Sequence, residues 1–164
     1  MSFQGQLQNK IVNIVIKPHH FLDIIKLYGK GIEQFIPNIE YGHNFYGIAN
    51  LIIRNKNIII ELTIDKDDIC GPCKYIGKNG LCTDKITHIN KITSKDEWNK
   101  ILDTRILSGL NLEQGNKFTA YDFCKLLYLN SEKIFEVWKE ETKEAKDKRY
   151  EAFCIGAKRY LDVL

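Results

Sequence analysis

The hydrophobic pattern in the first half of the chain predicts two β-strands joined by two helices. Residues 11–17 and residues 58–64 are short runs rich in Ile and other apolar side chains, which is typical of buried strands. Apolar side chains recur at helical spacing after Pro18 and again before Asn55, so we predict helices over residues 19–28 and 39–54. A connection of this length allows the two strands to pair in parallel.

The second half of the chain is predicted to be helical. Ser94 followed by Glu97 forms a capping box, and Thr119 precedes another amphipathic stretch. Ser131 is predicted to cap a final helix that reaches Leu164, in which the charged residues 139–149 form a solvated face.

These elements predict an α+β fold in which a small N-terminal β-α-α-β unit packs against C-terminal helices. The N-terminal unit spans residues 1–92 and contains a cysteine loop at residues 65–84. The helical part spans residues 93–164, and we expect the two parts to form one compact unit.

The composition is that of an ordinary globular protein. The 164-residue chain has a formal charge of only +3, which does not indicate a nucleic-acid-binding protein. No apolar run reaches the ~18 residues of a membrane span, and the N-terminal sequence lacks the features of a signal peptide. We expect a cytoplasmic protein with reduced thiols and no membrane association, whose partner is a redox protein or a small-molecule substrate.

Three of the five cysteines lie close together in the predicted loop, at Cys70, Cys73 and Cys82. The first two form a Cys-Gly-Pro-Cys motif like that of thioredoxins, but disulfide exchange requires a helix that begins at the first cysteine. The glycine-rich stretch after the motif predicts turns instead. No proline follows Pro72, so the cis-proline of thioredoxins has no counterpart, and the sequence argues against this chemistry.

A metal site explains the loop better. A Cys-x-x-Cys turn presents two sulfurs to one metal, and the turn at Asn79-Gly80 can return the chain to deliver Cys82. Lys74 and Lys78 can offset the charge of several thiolates, whereas Asp67 and its acidic neighbours are expected to point outward or to cap the loop. Unpartnered reduced cysteines are a third interpretation, which the concentration of three cysteines in a glycine-rich loop disfavours.

A closed metal site needs a fourth ligand, and two cysteines elsewhere in the chain are candidates. Cys124 falls within the apolar pattern of a predicted helix, where a buried and inert cysteine is the favoured interpretation. Cys154 lies beside Gly156, a small residue that permits close approach of another segment. For Cys154, a ligand role and a core role both stay open.

Histidines are the other candidates. His19 and His20 follow Pro18 at a predicted helix start, where the helix dipole lowers an imidazole pKa and favours the neutral form that binds metals. Because adjacent helical residues point about 100° apart, at most one of the pair is expected to reach a given site. His43 and His88 are isolated in polar surroundings and are expected to be exposed to solvent.

Several short segments, taken in order, resemble one protein family. They are Lys17-Pro18-His19-His20-Phe21-Leu22, Tyr28-Gly29-Lys30-Gly31, Asp67-Asp68-Ile69-Cys70, and residues 103–107, 110–115 and 118–119. Together they resemble the bacterial and archaeal family called domain of unknown function 1284. Pro-His-His followed by Gly-Lys-Gly at this spacing is the most specific part of the resemblance.

The resemblance implies an iron–sulfur protein whose biochemical role is not established. It implies one [4Fe–4S] cluster rather than a zinc ion, and the C-terminal segment around Cys154 is similar to the family's ending. The implied cluster ligands are Cys70, Cys73, Cys82 and Cys154. His19 or His20 would then donate a hydrogen bond to a cluster sulfide, or act as a ligand in place of Cys154.

Two departures from the family pattern leave other functions open. Asp23 stands where members often have a cysteine, and the charged residues 139–149 replace further cysteines. The first alternative is a zinc-stabilised module that binds protein or nucleic acid, with a histidine or Cys154 completing the site. The second is a cluster enzyme with three cysteine ligands and an open iron, in which His19 and His20 act as acid and base.

Overall fold

The computed structural model describes residues 13–163 of the chain. This part contains six α-helices and three short β-strands, so the predicted α+β class is confirmed. The elements are β1 (Asn13–Ile16), α1 (Pro18–Gly29), α2 (Phe45–Arg54), β2 (Ile59–Leu62), α3 (Lys95–Gly109), β3 (Lys117–Thr119), α4 (Ala120–Leu129), a 3₁₀ turn (Ser131–Lys133), α5 (Ile134–Val137) and α6 (Lys143–Leu161). None of these helices is long and apolar enough to cross a bilayer.

The three strands form one sheet in the order β1-β2-β3. Strands β1 and β2 pair in parallel, with Ile14 opposite Ile60 and Ile16 opposite Leu62, so the predicted parallel crossover is confirmed. Residues 11 and 12 of the predicted first strand lie outside the described residues. Strand β3 pairs antiparallel to β2. The sequence pattern does not predict it, because three residues are too few to show alternation.

Two predicted helix starts are confirmed by their caps. The Ser94 hydroxyl accepts a hydrogen bond from the Glu97 backbone N–H at 3.2 Å, and α3 begins at the next residue. The Thr119 hydroxyl accepts one from the Asp122 backbone N–H at 3.0 Å, and α4 follows. In both cases the side chain satisfies a backbone donor that the first helical turn leaves unpaired.

The second helix begins later than predicted, at Phe45 rather than at residue 39. Gly42 has a φ of +66°, a left-handed conformation that an α-helix cannot contain. Its N–H donates to the Asn38 carbonyl at 2.9 Å, so the chain makes a turn here. The apolar residues before Gly42 therefore belong to a loop, which carries His43 to the start of α2.

The predicted continuous helix from residue 131 to Leu164 is wrong in its first third. After a 3₁₀ turn and the short helix α5, the chain leaves helical geometry at Trp138 and restarts at Lys143. The Thr142 hydroxyl caps the restart by accepting a hydrogen bond from the Ala145 backbone N–H at 3.2 Å. Trp138, which is only 2% exposed, becomes buried at this break. Leu164 lies outside the described residues.

Helix α1 is held in place by an unusually close contact with α6. A Cβ atom built at Gly156 would overlap the Ile25 carbonyl oxygen and lie 2.9 Å from the Gly29 nitrogen. Only hydrogen atoms fit between the two backbones. The opposite side of α1 packs into the core, where the Phe21 and Phe123 rings are 4.9 Å apart. The N-terminus of α1 is thereby fixed beside the cysteine loop.

Candidate functional site

The three clustered cysteines lie in the loop between β2 and α3, which contains no helix. The Cys73 N–H donates to the Cys70 carbonyl at 3.0 Å, forming the tight turn that the Cys-x-x-Cys spacing predicts. The chain then reverses at Gly80, whose φ is +79°, and Cys82 forms an isolated antiparallel bridge with Ile76. All three side chains are half-buried, so the loop carries the thiols outside the core.

Asp67 organises the beginning of this loop. One carboxylate oxygen accepts hydrogen bonds from the backbone N–H groups of Ile69 and Cys70, at 3.1 and 2.9 Å. The other accepts from the Lys17 backbone N–H at 2.8 Å and lies 2.7 Å from His20 Nδ1. Asp67 is 3% exposed. Of the two predicted roles, it therefore caps the loop and does not point outward.

Cys70 is a protonated thiol in this environment rather than a prepared nucleophile. Burial raises its pKa to about 12, Asp67 acts in the same direction, and the opposing effect of Lys17 is smaller. The Lys17 ammonium group donates to the Cys70 sulfur at 3.6 Å. Because no helix begins at Cys70 and its pKa is high, the structure disfavours thioredoxin-like disulfide exchange. A bound metal would supply the positive charge that ionises the thiol.

The other two cysteines lie elsewhere. Cys124 is fully buried in the core, and burial raises its pKa, as expected for an inert core thiol. Cys154 lines a separate pocket between α4 and α6 with Tyr128 and Tyr150, and no residue of the cysteine loop lines that pocket. The face of α6 that carries Gly156 packs on α1, which turns Cys154 toward α4. The structure therefore does not bring Cys154 to the loop.

His19 and His20 occupy the first turn of α1, and each is paired with a buried carboxylate. His19 Nδ1 lies 2.9 Å from both carboxylate oxygens of Asp103, and His20 Nδ1 pairs with Asp67. A carboxylate at Nδ1 favours a proton on that nitrogen and leaves Nε2 available to a metal or a ligand. The two ring centroids are 4.3 Å apart, but only His20 has a ring nitrogen close to potential ligand atoms of Asp67 and Cys70, which agrees with the prediction that one of the pair reaches a metal site.

The predicted lowering of the imidazole pKa is wrong for His19. Burial lowers the His19 pKa, but the nearby Asp103 carboxylate raises it more, and the net shift is upward. The same carboxylate accepts the His19 backbone N–H at 2.8 Å. Asp103 therefore caps α1 and binds the imidazole, and it outweighs the helix dipole on which the prediction rested.

Both histidines face a cavity of about 300 Å³ that also receives His43 and His88. The prediction that these two would be exposed is wrong for His43, which is half-buried. It is confirmed for His88, whose side chain is 51% exposed although it also lines the cavity. The other lining residues are Asp23, Lys26, Phe45, Ile69, Lys95, Trp98, Asn99, Leu102, Trp138, Glu141 and Arg149. We call this cavity the histidine pocket. It adjoins the cysteine loop at Ile69.

Sequence reasoning missed most of the pocket. The charge pattern of residues 139–149 predicts a solvated position for Arg149, but its side chain is only 16% exposed and pairs with Glu141. Its guanidinium lies 4.2 Å from the Trp138 ring. For Asp103 the sequence contained only an indirect indication of a functional role, because this residue begins one of the segments that resemble the family. For Asn99 the sequence contained no indication of a pocket role, because a single Asn in an amphipathic helix is ordinarily a surface residue.

Where the pocket meets the loop, three side chains with potential metal-ligand atoms lie close together. Within residues 13–163, His20, Asp67 and Cys70 have potential ligand atoms that all lie within 4.8 Å of one another, whereas Cys73, Cys82 and Cys154 do not join this group. A single ion requires such close ligands. A cluster does not, because each thiolate binds a different iron.

We expect the His19–Asp103 pair to make stability depend on pH. Because the folded pKa of His19 lies above its unfolded value of about 6.5, the stabilisation is complete below that pH and is lost as pH rises through the folded pKa. Asp103→Asn should lower the free energy of unfolding by about 2 kcal/mol at about pH 6 and by less at about pH 8. Urea unfolding at both pH values measures this effect. The exposed Asp122→Asn is the control, and equal losses for Asp103→Asn at both pH values would contradict the assignment.

Comparison with known proteins supports the family suggested by the sequence motifs. The model of the family described as "Protein of unknown function (DUF1284)" matches residues 38–154. This span includes the cysteine loop, Asp103 and Cys154, whereas the His19-His20 pair precedes it. No curated protein and no solved structure matches the chain at the significance required. Since the family model covers well over half of the sequence, the chain belongs to the DUF1284 family.

Proposed function

We propose that this protein binds an iron–sulfur cluster, a [4Fe–4S] cluster, through the thiolates of Cys70, Cys73 and Cys82. The observation that supports the proposal is that one helix-free loop carries all three half-buried thiols, with a tight turn between Cys70 and Cys73 and a bridge between Cys82 and Ile76. A reducing cytoplasm would keep such thiols available. When bound, the cluster would supply one-electron redox chemistry or a Lewis-acidic iron.

The residues around the loop fit such a group. The Lys17 ammonium at 3.6 Å from the Cys70 sulfur offsets part of the negative charge that several thiolates and a cluster bring together. The Asp67 carboxylate accepts backbone and histidine hydrogen bonds through both oxygens, so in the cluster proposal its role is to hold the loop.

The position of Cys154 favours three-cysteine ligation over the four-cysteine site that the family resemblance implies. Cys154 lines a pocket away from the loop, whereas His20 lies beside Cys70. We therefore propose that the fourth iron position is directed toward His20 and the histidine pocket. In such an open site, His20 is a ligand or a hydrogen-bond donor, and His19 and His20 are placed to move protons for a bound substrate.

A zinc-stabilised module is the second candidate function. It is favoured by the His20, Asp67 and Cys70 group, whose ligand atoms are close enough for one ion. A zinc site of three thiolates and one imidazole is common in structural zinc sites. It would require Cys73 and Cys82 to move toward His20.

Metal analysis with cysteine variants tests the proposal. Protein purified without oxygen is expected to contain iron and acid-labile sulfide in equal amounts. Alanine at Cys70, Cys73 or Cys82 should lower iron content at least tenfold, since the loss of supporting contacts alone costs about 10- to 100-fold in metal affinity. Cys154→Ala should retain the iron, which distinguishes three-cysteine from four-cysteine ligation.

The matched control is Cys124→Ala, which removes a core thiol that is fully buried and should leave the metal content unchanged. Full iron content in the Cys70→Ala protein would overturn the cluster proposal. One zinc per chain and no sulfide would instead establish the second candidate.

A further inference from the structure

The histidine pocket contains a buried polar side chain without a protein partner. Asn99 is 7% exposed and lines the pocket, but among residues 13–163 its amide has no hydrogen-bond partner. Its amide atoms are not among the fully buried unpaired atoms of the described residues, so they are open to the interior of the pocket. The Asn99 amide is therefore available to a molecule in the pocket.

Among the residues that the structure describes, two further polar groups around the pocket have no protein partner, and one of them, on Arg149, is fully buried. His19 is 6% exposed, and in the described part of the chain its Nε2 has no hydrogen-bond partner while Nδ1 is held by Asp103. The Nε atom of Arg149 is buried and has no partner either, considering only residues 13–163. Three unpaired polar groups from α1, α3 and α6 thus converge on one cavity.

The polar side of the pocket is rich in hydrogen-bond donors. Lys26, Lys95 and Arg149 line it, and each forms an ion pair with a carboxylate, at Asp23, Asp84 and Glu141 respectively. These pairs balance the charge of the three cations, but an ammonium or guanidinium group has more N–H donors than one carboxylate oxygen uses. The lining therefore favours a ligand with oxygen acceptors, and a carboxylate can accept from several such donors at once.

The remaining walls of the pocket are apolar and aromatic. They are formed by Phe45, Ile69, Trp98, Leu102 and Trp138. An inorganic ion would not use these surfaces, whereas a small molecule with an apolar body would bury them. The cavity of about 300 Å³ is at the lower end of the range for small-molecule sites.

We infer that the histidine pocket binds a small organic carboxylate, with its anionic group near Asn99 and the cationic residues and its apolar body against the two tryptophans. This site goes beyond the proposed metal centre. Its polar contacts come from α1, α3 and α6, and none of the cluster thiolates lines the pocket.

Intrinsic fluorescence tests this inference directly, because the chain has two tryptophans and both line the pocket. The full-length protein is titrated with benzoate, with its neutral analogue benzamide, and with inorganic phosphate, and calorimetry measures the same three. Benzoate should change the fluorescence saturably and bind at least tenfold more tightly than either analogue. Benzamide tests the need for charge, and phosphate tests the need for an apolar body.

Two pairs of variants locate the binding. Lys95→Gln should weaken benzoate binding about tenfold, whereas Lys100→Gln should not. Both lysines lie on α3 in ion pairs, Lys95 with Asp84 and Lys100 with Asp96, but only Lys95 lines the pocket. Asn99→Leu should weaken binding at least tenfold, and the exposed Asn57→Leu should have no effect.

The outcomes separate this inference from the cluster proposal. Absence of saturable binding, equal binding of benzamide, or equal effects of Lys95→Gln and Lys100→Gln would overturn the pocket inference, whatever the iron content. Phosphate binding more tightly than benzoate would also overturn it, since the apolar walls would then be unused. Benzoate binding retained in a metal-free Cys73→Ala protein would confirm that the pocket acts independently of the loop.

Discussion

Gly156→Ala is expected to lower the free energy of unfolding by about 3 kcal/mol, the upper end of the usual cost of overpacking. The added methyl group would overlap the Ile25 carbonyl oxygen and lie 2.9 Å from the Gly29 nitrogen. Neither neighbour is a flexible side chain, so helices α1 and α6 must separate. Chemical denaturation followed by circular dichroism measures the loss.

The same change should also disturb the histidine pocket. Helix α1 carries His19, and α6 carries Arg149, so their separation alters the cavity between them. Gly109→Ala is the matched control, because Gly109 is also helical and an added Cβ there meets only the end of the Lys133 side chain at an ordinary 3.6 Å. We expect that control to change stability by less than about 1 kcal/mol. A Gly156→Ala protein as stable as Gly109→Ala would show that α1 and α6 are not closely packed.

Asp67→Ala is expected to have the second large effect, a loss of about 3 kcal/mol in the free energy of unfolding. The substitution leaves three backbone N–H groups, at Lys17, Ile69 and Cys70, without their acceptor. It also frees the His20 ring. Because these bonds hold the start of the cysteine loop, metal content should fall together with stability.

Asp68→Ala is a sharp control for this prediction. Asp68 is the next residue in the chain, but it is exposed and its carboxylate accepts one hydrogen bond, from the Val15 backbone N–H at 2.8 Å. Its removal should cost about 1 kcal/mol and leave the metal content unchanged. If the two variants are equally stable and bind equal amounts of metal, Asp67 does not organise the loop.

The pH dependence of the Asp67 contribution follows from its charge. Burial raises the Asp67 pKa, but the charge of His20 and the hydrogen bonds to the carboxylate hold the pKa well below its usual range. The stabilisation is therefore present above the unfolded value of about 3.9 and is lost only as pH falls below it. The difference between wild type and Asp67→Ala should persist from neutral pH down to about pH 4.

Local signals in the sequence account for most of the fold. The hydrophobic periods of β1, α1 and β2 and the hydroxyl caps of α3 and α4 depend on neighbouring residues, so they can be recognised without the tertiary structure. The errors occur where packing overrides periodicity. The apolar pattern from residue 131 suits one helix, but the chain leaves helical geometry at Trp138, whose side chain is buried in the core.

The same distinction applies to the candidate site. The spacing of Cys70, Cys73 and Cys82 predicts a compact thiol loop, because short turns between them suffice to gather the sulfurs. The histidine pair is equally visible. Their carboxylate partners are not, since Asp103 lies 84 residues from His19 in sequence and Asp67 lies 47 residues from His20. No local pattern relates such pairs.

By itself, the sequence determined most of the secondary structure, the parallel strand pair, the spacing of the loop cysteines and the small residue at Gly156 that permits a close helix contact. Only the tertiary structure decided which helices the different faces of α6 meet as a result of that contact. With Gly156 packed on α1, Cys154 faces α4, and Arg149 joins the histidines of α1 and Asn99 of α3 around one cavity. The physical reason is that the side-chain period of a helix is local, whereas the neighbour that each face meets is set by how the helices pack.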